Sequence, residues 1–313
     1  MPKIRAILVN PDVPGKLALG DVEAPAPRAN EALVRVHAIS LNRGECNRAQ
    51  NSPAGLLLGW DIAGVVEQAA ADGTGPKEGA RVVGILQTGA WAELIAVPST
   101  NLAVLPDSVS FEVASTFPVA GLTALYALDR ATGLAGRNVL ITGASGGVGN
   151  FAIQIARHAG ATVTALVRQE KHLDSVKEAG AHNAVADETG EAARAHGPYN
   201  HILESVGGPV LASAISMLAP TGHLVVYGVS MGGPMTLDSA SAFRARGTIS
   251  GLFVFTELHK ETAAVGLARL ARLVDQGVLK PQISLTASWK EAGPVARQLL
   301  DRTYPGKAVL TVD

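Results

Sequence analysis

Residues 139–149 read Val-Leu-Ile-Thr-Gly-Ala-Ser-Gly-Gly-Val-Gly, an apolar, β-branched stretch that runs into a turn packed with glycine. Gly143, Gly146 and Gly149 allow a tight turn and close backbone approach, and Ser145, Gly147 and Val148 complete it. A helix expected over 148–158 then presents free N–H groups at its N-terminus, the arrangement that receives a pyrophosphate. The spacing G-x-x-G-x-x-G departs from the commoner G-x-G-x-x-G, so the assignment rests on strand, turn and helix agreeing. A bound dinucleotide is the chemistry this run points to. The strand expected next, over 162–167, ends in Arg168-Gln169-Glu170-Lys171. Sites that take NAD usually carry Asp or Glu at such a strand end, to bind the ribose 2′-hydroxyl. A guanidinium at the tip suits a 2′-phosphate instead, and Glu170 reads as the first turn of the following helix. NADPH is therefore the expected cofactor.

The same letters fit T-G-x-x-x-G-x-G, the fingerprint of short-chain dehydrogenases. That fingerprint lies near an N-terminus, whereas well over a hundred residues precede Thr142. It also requires a Tyr-x-x-x-Lys pair. The four tyrosines at 126, 199, 227 and 304 are followed at the fourth position by Arg130, Leu203, Met231 and Ala308. The short-chain reading fails.

The elements that must hold such a site follow from the periodicity. With 313 residues and 47% hydrophobic content, the chain can bury a large core and is expected to form two domains. A formal charge of −1 gives no reason to expect nucleic acid or an anionic membrane as a partner. One cysteine excludes an internal disulfide framework and fits a reducing compartment. No signal-peptide core precedes the first strand and no apolar run approaches the ~20 residues of a spanning helix, so a cytoplasmic, soluble protein is expected. Up to residue 104 the segments are short and strand-like (4–9, 32–39, 62–69, 81–85 and 90–97), separated by Pro, Gly, Asn and Asp turns, the pattern of an irregular β-barrel. From residue 111 helical periods begin, and beyond 138 strands and helices alternate as in a doubly wound parallel sheet. The segment 187–197 reads as a loop or frayed helix. The tail holds helices at 262–276 and 290–302 and a closing strand at 307–312.

Several motifs in this order resemble the medium-chain dehydrogenase/reductase superfamily, and within it the zinc-independent quinone oxidoreductase branch. They are Gly-Trp-Asp-Ile-Ala-Gly-Val-Val at 59–66, Ala-Gly-Leu-Thr-Ala at 120–124, the glycine run, Ser-Val-Gly-Gly at 205–208 and Gly-Lys-Ala-Val-Leu at 306–310. The resemblance covers nearly the whole chain. It implies an α/β fold: a GroES-like β-barrel catalytic domain at 1–118, a Rossmann dinucleotide-binding domain at 119–258, and a segment at 259–313 that returns to the first domain.

Relatives that are alcohol dehydrogenases hold a catalytic zinc with Cys, His and Cys. Aligned on their motifs, those positions fall on Asn42, Trp60 and Val119. Tryptophan and valine cannot ligate zinc, and the eight histidines form no H-x-x-x-H or H-E-x-x-H pair, so no metal is expected. Alcohol oxidation would then lack its Lewis acid. The chemistry that remains is hydride donation to an acceptor already electrophilic, a quinone or α,β-unsaturated carbonyl, needing position, a dry pocket and donors for the developing oxyanion. Asn42 is the expected donor, while Trp60, Leu252 and Phe253 are expected to line the acceptor pocket.

The resemblance further implies cofactor contacts from Thr123, Tyr126, Lys171, Val206, Gly207, Tyr227, Gly228 and Val229. It implies a homodimer paired along the last strand of the parallel sheet, at 247–253. Two other functions stay open, an enoyl-thioester reductase and a non-catalytic NADPH-binding protein of the crystallin or sensor kind.

Overall fold

The computed structural model describes residues 2–240, 243 and 246–313. Two compact units emerge, one formed by Met1–Leu122, Leu258–Gly277 and Pro281–Asp313, the other by Thr123–Glu257 and Val278–Lys280.

The first unit is a GroES-like β structure. A hairpin pairs Lys3–Val9 with Leu17–Glu23, and a larger sheet runs Ile283–Ser288, Lys307–Thr311, Glu31–Ser40, Asp61–Gln68, Arg81–Ile85 and Leu102–Val104, with Leu94–Pro98 also on Glu31–Ser40. All its pairings are antiparallel except the first, where Ile283–Ser288 lies parallel to Lys307–Thr311. Strand Glu31–Ser40 alternates at first, burying Ala32, Val34 and Val36, then turns inward on both faces at Ala38, Ile39 and Ser40. The change coincides with a register shift against Asp61–Gln68 between Val36 and Ala38. Gly64 sits in that crossing because nothing larger fits: a Cβ there would lie 2.0 Å from the Arg35 carbonyl oxygen. Ile7, Ile39, Leu41, Ile62, Trp91 and Trp289 fill the core beneath, each fully buried or nearly so.

The second unit holds six strands, all parallel, in the order Asn183–Ala186, Thr162–Val167, Asn138–Thr142, Tyr199–Glu204, Leu218–Val226 and Thr248–Gly251. This is the doubly wound Rossmann arrangement. Its strand order reverses between Asn138–Thr142 and Tyr199–Glu204, and in such sheets the ligand crevice opens at the carboxyl ends of the strands flanking that reversal. The central strands read as continuous apolar runs, since helices cover both faces.

The barrel strands expected near 4–9, 32–39, 62–69 and 81–85 stand within a residue or two of those limits, whereas the one expected at 90–97 begins only at Leu94. Three elements carry no periodic signal. Leu17–Glu23 and Ile283–Ser288 have mixed faces, and helix Arg43–Gln50 is polar throughout yet buries Glu45, Cys46 and Ala49. The segment at 187–197 contains a 3-10 turn, Glu191–His196.

Candidate functional site

At the carboxyl edge of the parallel sheet, strand Asn138–Thr142 ends and the chain turns at Gly143, whose φ of 56° favours glycine. The Gly146 N–H closes the turn on the Gly143 carbonyl at 3.0 Å, and the Ala144 N–H ties it to Leu166 at 3.1 Å. Helix Gly147–His158 starts at once. Its packing depends on Gly149, where a Cβ would approach the Ala144 carbonyl oxygen to 2.5 Å. The N-cap position is Gly146 and no side chain caps the first turn, so a pyrophosphate can satisfy the amides there. Ser145, Gly147 and Val148 lie half-buried in the same turn.

The next strand, Thr162–Val167, delivers Arg168 to its tip, and Lys171 follows on the turn Glu170–His172; both are exposed. Their charges reach a common neighbour. The His172 imidazole is held below its usual range, by burial first and then by Lys171 and Arg168. Two further turns complete the edge. Val206 and Gly207 follow Tyr199–Glu204, and Tyr227, Gly228 and Val229 follow Leu218–Val226. The Ser230 and Met231 N–H groups donate to the Ser205 and Val206 carbonyls at 2.9 and 2.8 Å, locking these turns together. Tyr227 is half-buried, with its hydroxyl 3.4 Å from the Thr142 carbonyl, whereas Val229 is exposed. Thr123 and Tyr126 sit on helix Leu122–Asp129, both buried. Leu252 is buried, but Phe253 is 56% exposed and stacks edge-on against Phe255.

In the barrel unit, two of the three positions aligned with zinc ligands, Asn42 and Val119, bond into a buried charge cluster instead. Asn42 N-caps helix Arg43–Gln50, and its Nδ2 donates to Asp61 Oδ2 at 2.6 Å and to Glu45 Oε1 at 3.1 Å. Its Oδ1 accepts from Lys307 Nζ at 2.6 Å. That ammonium also donates to Asp61 Oδ2 at 3.3 Å and to the Leu41 carbonyl at 3.0 Å, so its three hydrogens are all placed. Asp61 additionally accepts from Ser40 Oγ at 2.7 Å and from the Val119 N–H at 2.9 Å. Glu45 accepts from the Asn42 N–H at 2.7 Å while its Oε2 has no partner. Burial first, then the charge of Asp61, pushes the Glu45 carboxyl well above the usual range, which favours its neutral form. One anion and one cation thus remain.

Both Asn42 amide hydrogens are engaged by carboxylates, so the residue fastens the barrel, and donating to an oxyanion would take the opening of one of those bonds. Trp60 is partly buried, covers Gly44 and donates its indole N–H to the Gln87 carbonyl at 2.9 Å. Glu45, Asp61, Lys307 and, in the other unit, the buried Glu204 are the ionisable groups that motif reading passed over. The signal available for them is a charge standing in an apolar or strand-forming run, most clearly Asp61 before Ile-Ala-Gly-Val-Val and Glu204 after His-Ile-Leu.

Residues 28–107 match the family model described as alcohol dehydrogenase GroES-like domain, and residues 147–271 that described as zinc-binding dehydrogenase. The chain is 33% identical over 302 residues to the spectinabilin polyketide synthase protein NorB of Streptomyces orinoci, covering 93% of this chain but only 14% of that protein. It is 33% identical over 252 residues to the trans-enoyl reductase tazE of Aspergillus terreus, covering 69% of this chain and 81% of tazE. Among solved structures, the quinone oxidoreductase of Coxiella burnetii superposes with a TM-score of 0.85 at 28% identity, over 100% of both chains.

The second family description names zinc, and the donor set here does not fit it. Asn42 is fully engaged, Trp60 and Val119 offer no ligand, and among the described residues no group of three or more His, Cys, Asp or Glu could hold a metal ion. Nor, among those residues, is any helix long and apolar enough to cross a membrane. The cluster makes Lys307 indispensable to the barrel. Lys307→Met should lower the unfolding free energy by about 3–5 kcal/mol by stranding the Asp61 anion. Denaturant unfolding of the two proteins measures it, and a loss below about 1 kcal/mol contradicts the pairing described.

Proposed function

The chain belongs to the medium-chain dehydrogenase/reductase superfamily, a family of oxidoreductases, and on that premise we propose that it reduces a quinone or a small α,β-unsaturated carbonyl with NADPH. The observation that carries this reading is the uncapped Gly143–Gly149 turn, with Arg168 and Lys171 exposed at the end of the neighbouring strand. Uncapped amides suit the pyrophosphate, and the two cations suit a 2′-phosphate. Thr123, Tyr126, Val206, Gly207, Tyr227, Gly228 and Val229 border the nicotinamide half in this proposal.

Reduced nicotinamide supplies a hydride when bound. The chain's own part is to orient the two reactants and keep water from the dinucleotide turn. Because the zinc positions hold a self-neutralising cluster, acceptors that need no Lewis acid are favoured. A quinone or enone meets that condition, and hydride plus a proton from water gives the hydroquinone or saturated carbonyl. Similarity to a trans-enoyl reductase over most of its length supports a second reading, in which the acceptor is an enoyl thioester. A protein that binds NADPH without turnover is the third.

One assay separates the three: NADPH oxidation with a panel of simple quinones, enones and enoyl thioesters. Turnover with quinones or enones supports the proposal, turnover confined to thioesters supports the second reading, and none above the no-enzyme rate rejects both. Arg168→Ala should weaken NADPH by roughly ten- to hundredfold, the worth of a charge-assisted phosphate contact, and leave NADH almost unchanged. Titration of both nucleotides checks this, and equal losses remove Arg168 from the 2′-phosphate site. We also place a homodimer contact at the terminal strand Thr248–Gly251, which ends the sheet with Thr248 and Ile249 exposed. Light scattering at micromolar concentration should return twice the chain mass, and a monomer mass refutes the contact.

A further inference from the structure

Glu204 ends the strand on one side of the sheet reversal, and Thr142 ends the strand on the other. Its side chain is fully buried, yet it faces backbone amides and not a cation. Oε1 accepts from the Val206 N–H at 2.7 Å and the Gly207 N–H at 3.0 Å, and Oε2 lies 3.3 Å from the same Gly207 N–H. Thr142 Oγ1 donates to Oε1 at 3.3 Å while accepting from the Ser205 N–H at 3.0 Å. Past the Val206 and Gly207 amides the chain turns away through two glycines at positive φ, Gly207 at 81° and Gly208 at 52°. Successive amides converging on one point form an anion-binding nest, the same device that elsewhere takes a phosphate. Here the chain fills the nest with its own anion.

We propose that Glu204 is a positioning residue for the dinucleotide: its carboxylate occupies the nest after the fourth strand, fixes that turn to the glycine turn after Thr142, and so directs the pyrophosphate to the glycine turn alone. The proposal rests on the dinucleotide reading above. Two consequences follow from the chemistry. An anion in the second nest repels phosphate there, leaving one cradle of two. The turn holds the ionised form more firmly, because a protonated carboxyl keeps an acceptor oxygen for the amides but loses the charge that strengthens those bonds. Burial pushes the Glu204 carboxyl above the usual carboxylate range. The sign is then fixed: the anion is lost as pH falls through that raised value, and cofactor affinity falls with it. Tyr227, on which the Glu204 charge also acts, is held high by burial first and stays neutral throughout.

The test compares NADPH binding to the whole protein and to Glu204→Gln between pH 8 and pH 5.5, with thermal melting alongside. Gln keeps the shape and one acceptor but loses the charge, so its Kd at pH 8 should rise about tenfold, the worth of one charge-assisted bond. The affinity ratio between wild type and variant should shrink toward acid, where wild type also loses its anion. Titration of the 2′-phosphate affects both proteins alike and cancels in that ratio. A variant that melts like wild type and binds NADPH equally at every pH overturns the inference while leaving the dinucleotide reading intact. Wild type that binds neither NADPH nor NADH overturns both. Should Glu204→Gln fail to fold, Thr142→Val removes the hydroxyl that joins Glu204 to the Ser205 N–H and keeps the anion. A rise of several-fold in its Kd supports the inference, and no change overturns it.

Discussion

The barrel unit depends on a single buried ammonium. Lys307 Nζ reaches the Leu41 carbonyl, the Asn42 amide and the Asp61 carboxylate, groups contributed by chain segments 246 or more positions away in sequence. With Lys307 and Asp61 4% and 0% exposed, neither charge has water to fall back on. The strand Lys307–Thr311 must therefore lie beside Glu31–Ser40, with the helix that Asn42 caps held against the start of Asp61–Gln68. Asp61 passes the constraint on through the Val119 N–H to the turn Phe117–Gly121. One cation, directly or through Asp61, ties together five segments.

Three buried carboxylates show three ways of tolerating burial. Asp61 takes a cation, two side-chain donors and a backbone amide. Glu45 takes two donors, sits beside that anion without an ammonium of its own, and is driven toward its proton. Glu204 takes backbone amides and a hydroxyl and no cation at all. The difference tracks what lies next to each. Where strands from distant parts of the chain meet, a lysine can be delivered across the gap; in a strand-end turn, the nearest available positive ends are peptide N–H groups.

How much of this was legible follows the same division. The Rossmann unit could be read almost element by element, because its strands are continuous apolar runs and its turn is written in glycines. In the barrel unit, helix Arg43–Gln50 carries no periodic signal because Arg-Gly-Glu-Cys-Asn-Arg-Ala-Gln has no apolar face; its only local mark is the Asn42-x-x-Glu45 capping box, and its small buried side depends on the elements packed against it. The amide of Asn42 reads as a free donor in sequence, and only the folded positions of Glu45, Asp61 and Lys307 show which groups it bonds. Glu204 was passed over because an acidic residue at a strand end looks like the start of a loop until its contacts are known.

The cluster around Asp61 also bears on how such a chain can change over evolutionary time. Restoring a metal site would require a thiolate or imidazole at 42, 60 and 119 together. Replacing Asn42 alone removes one of the three acceptors of Lys307 and two donors to the carboxylates, so that step leaves buried charges short of partners, whereas Trp60 bonds elsewhere and Val119 meets Asp61 only through its backbone N–H. Position 42 is thus the step that resists change, because its amide is shared by two carboxylates and an ammonium that have no water to replace it.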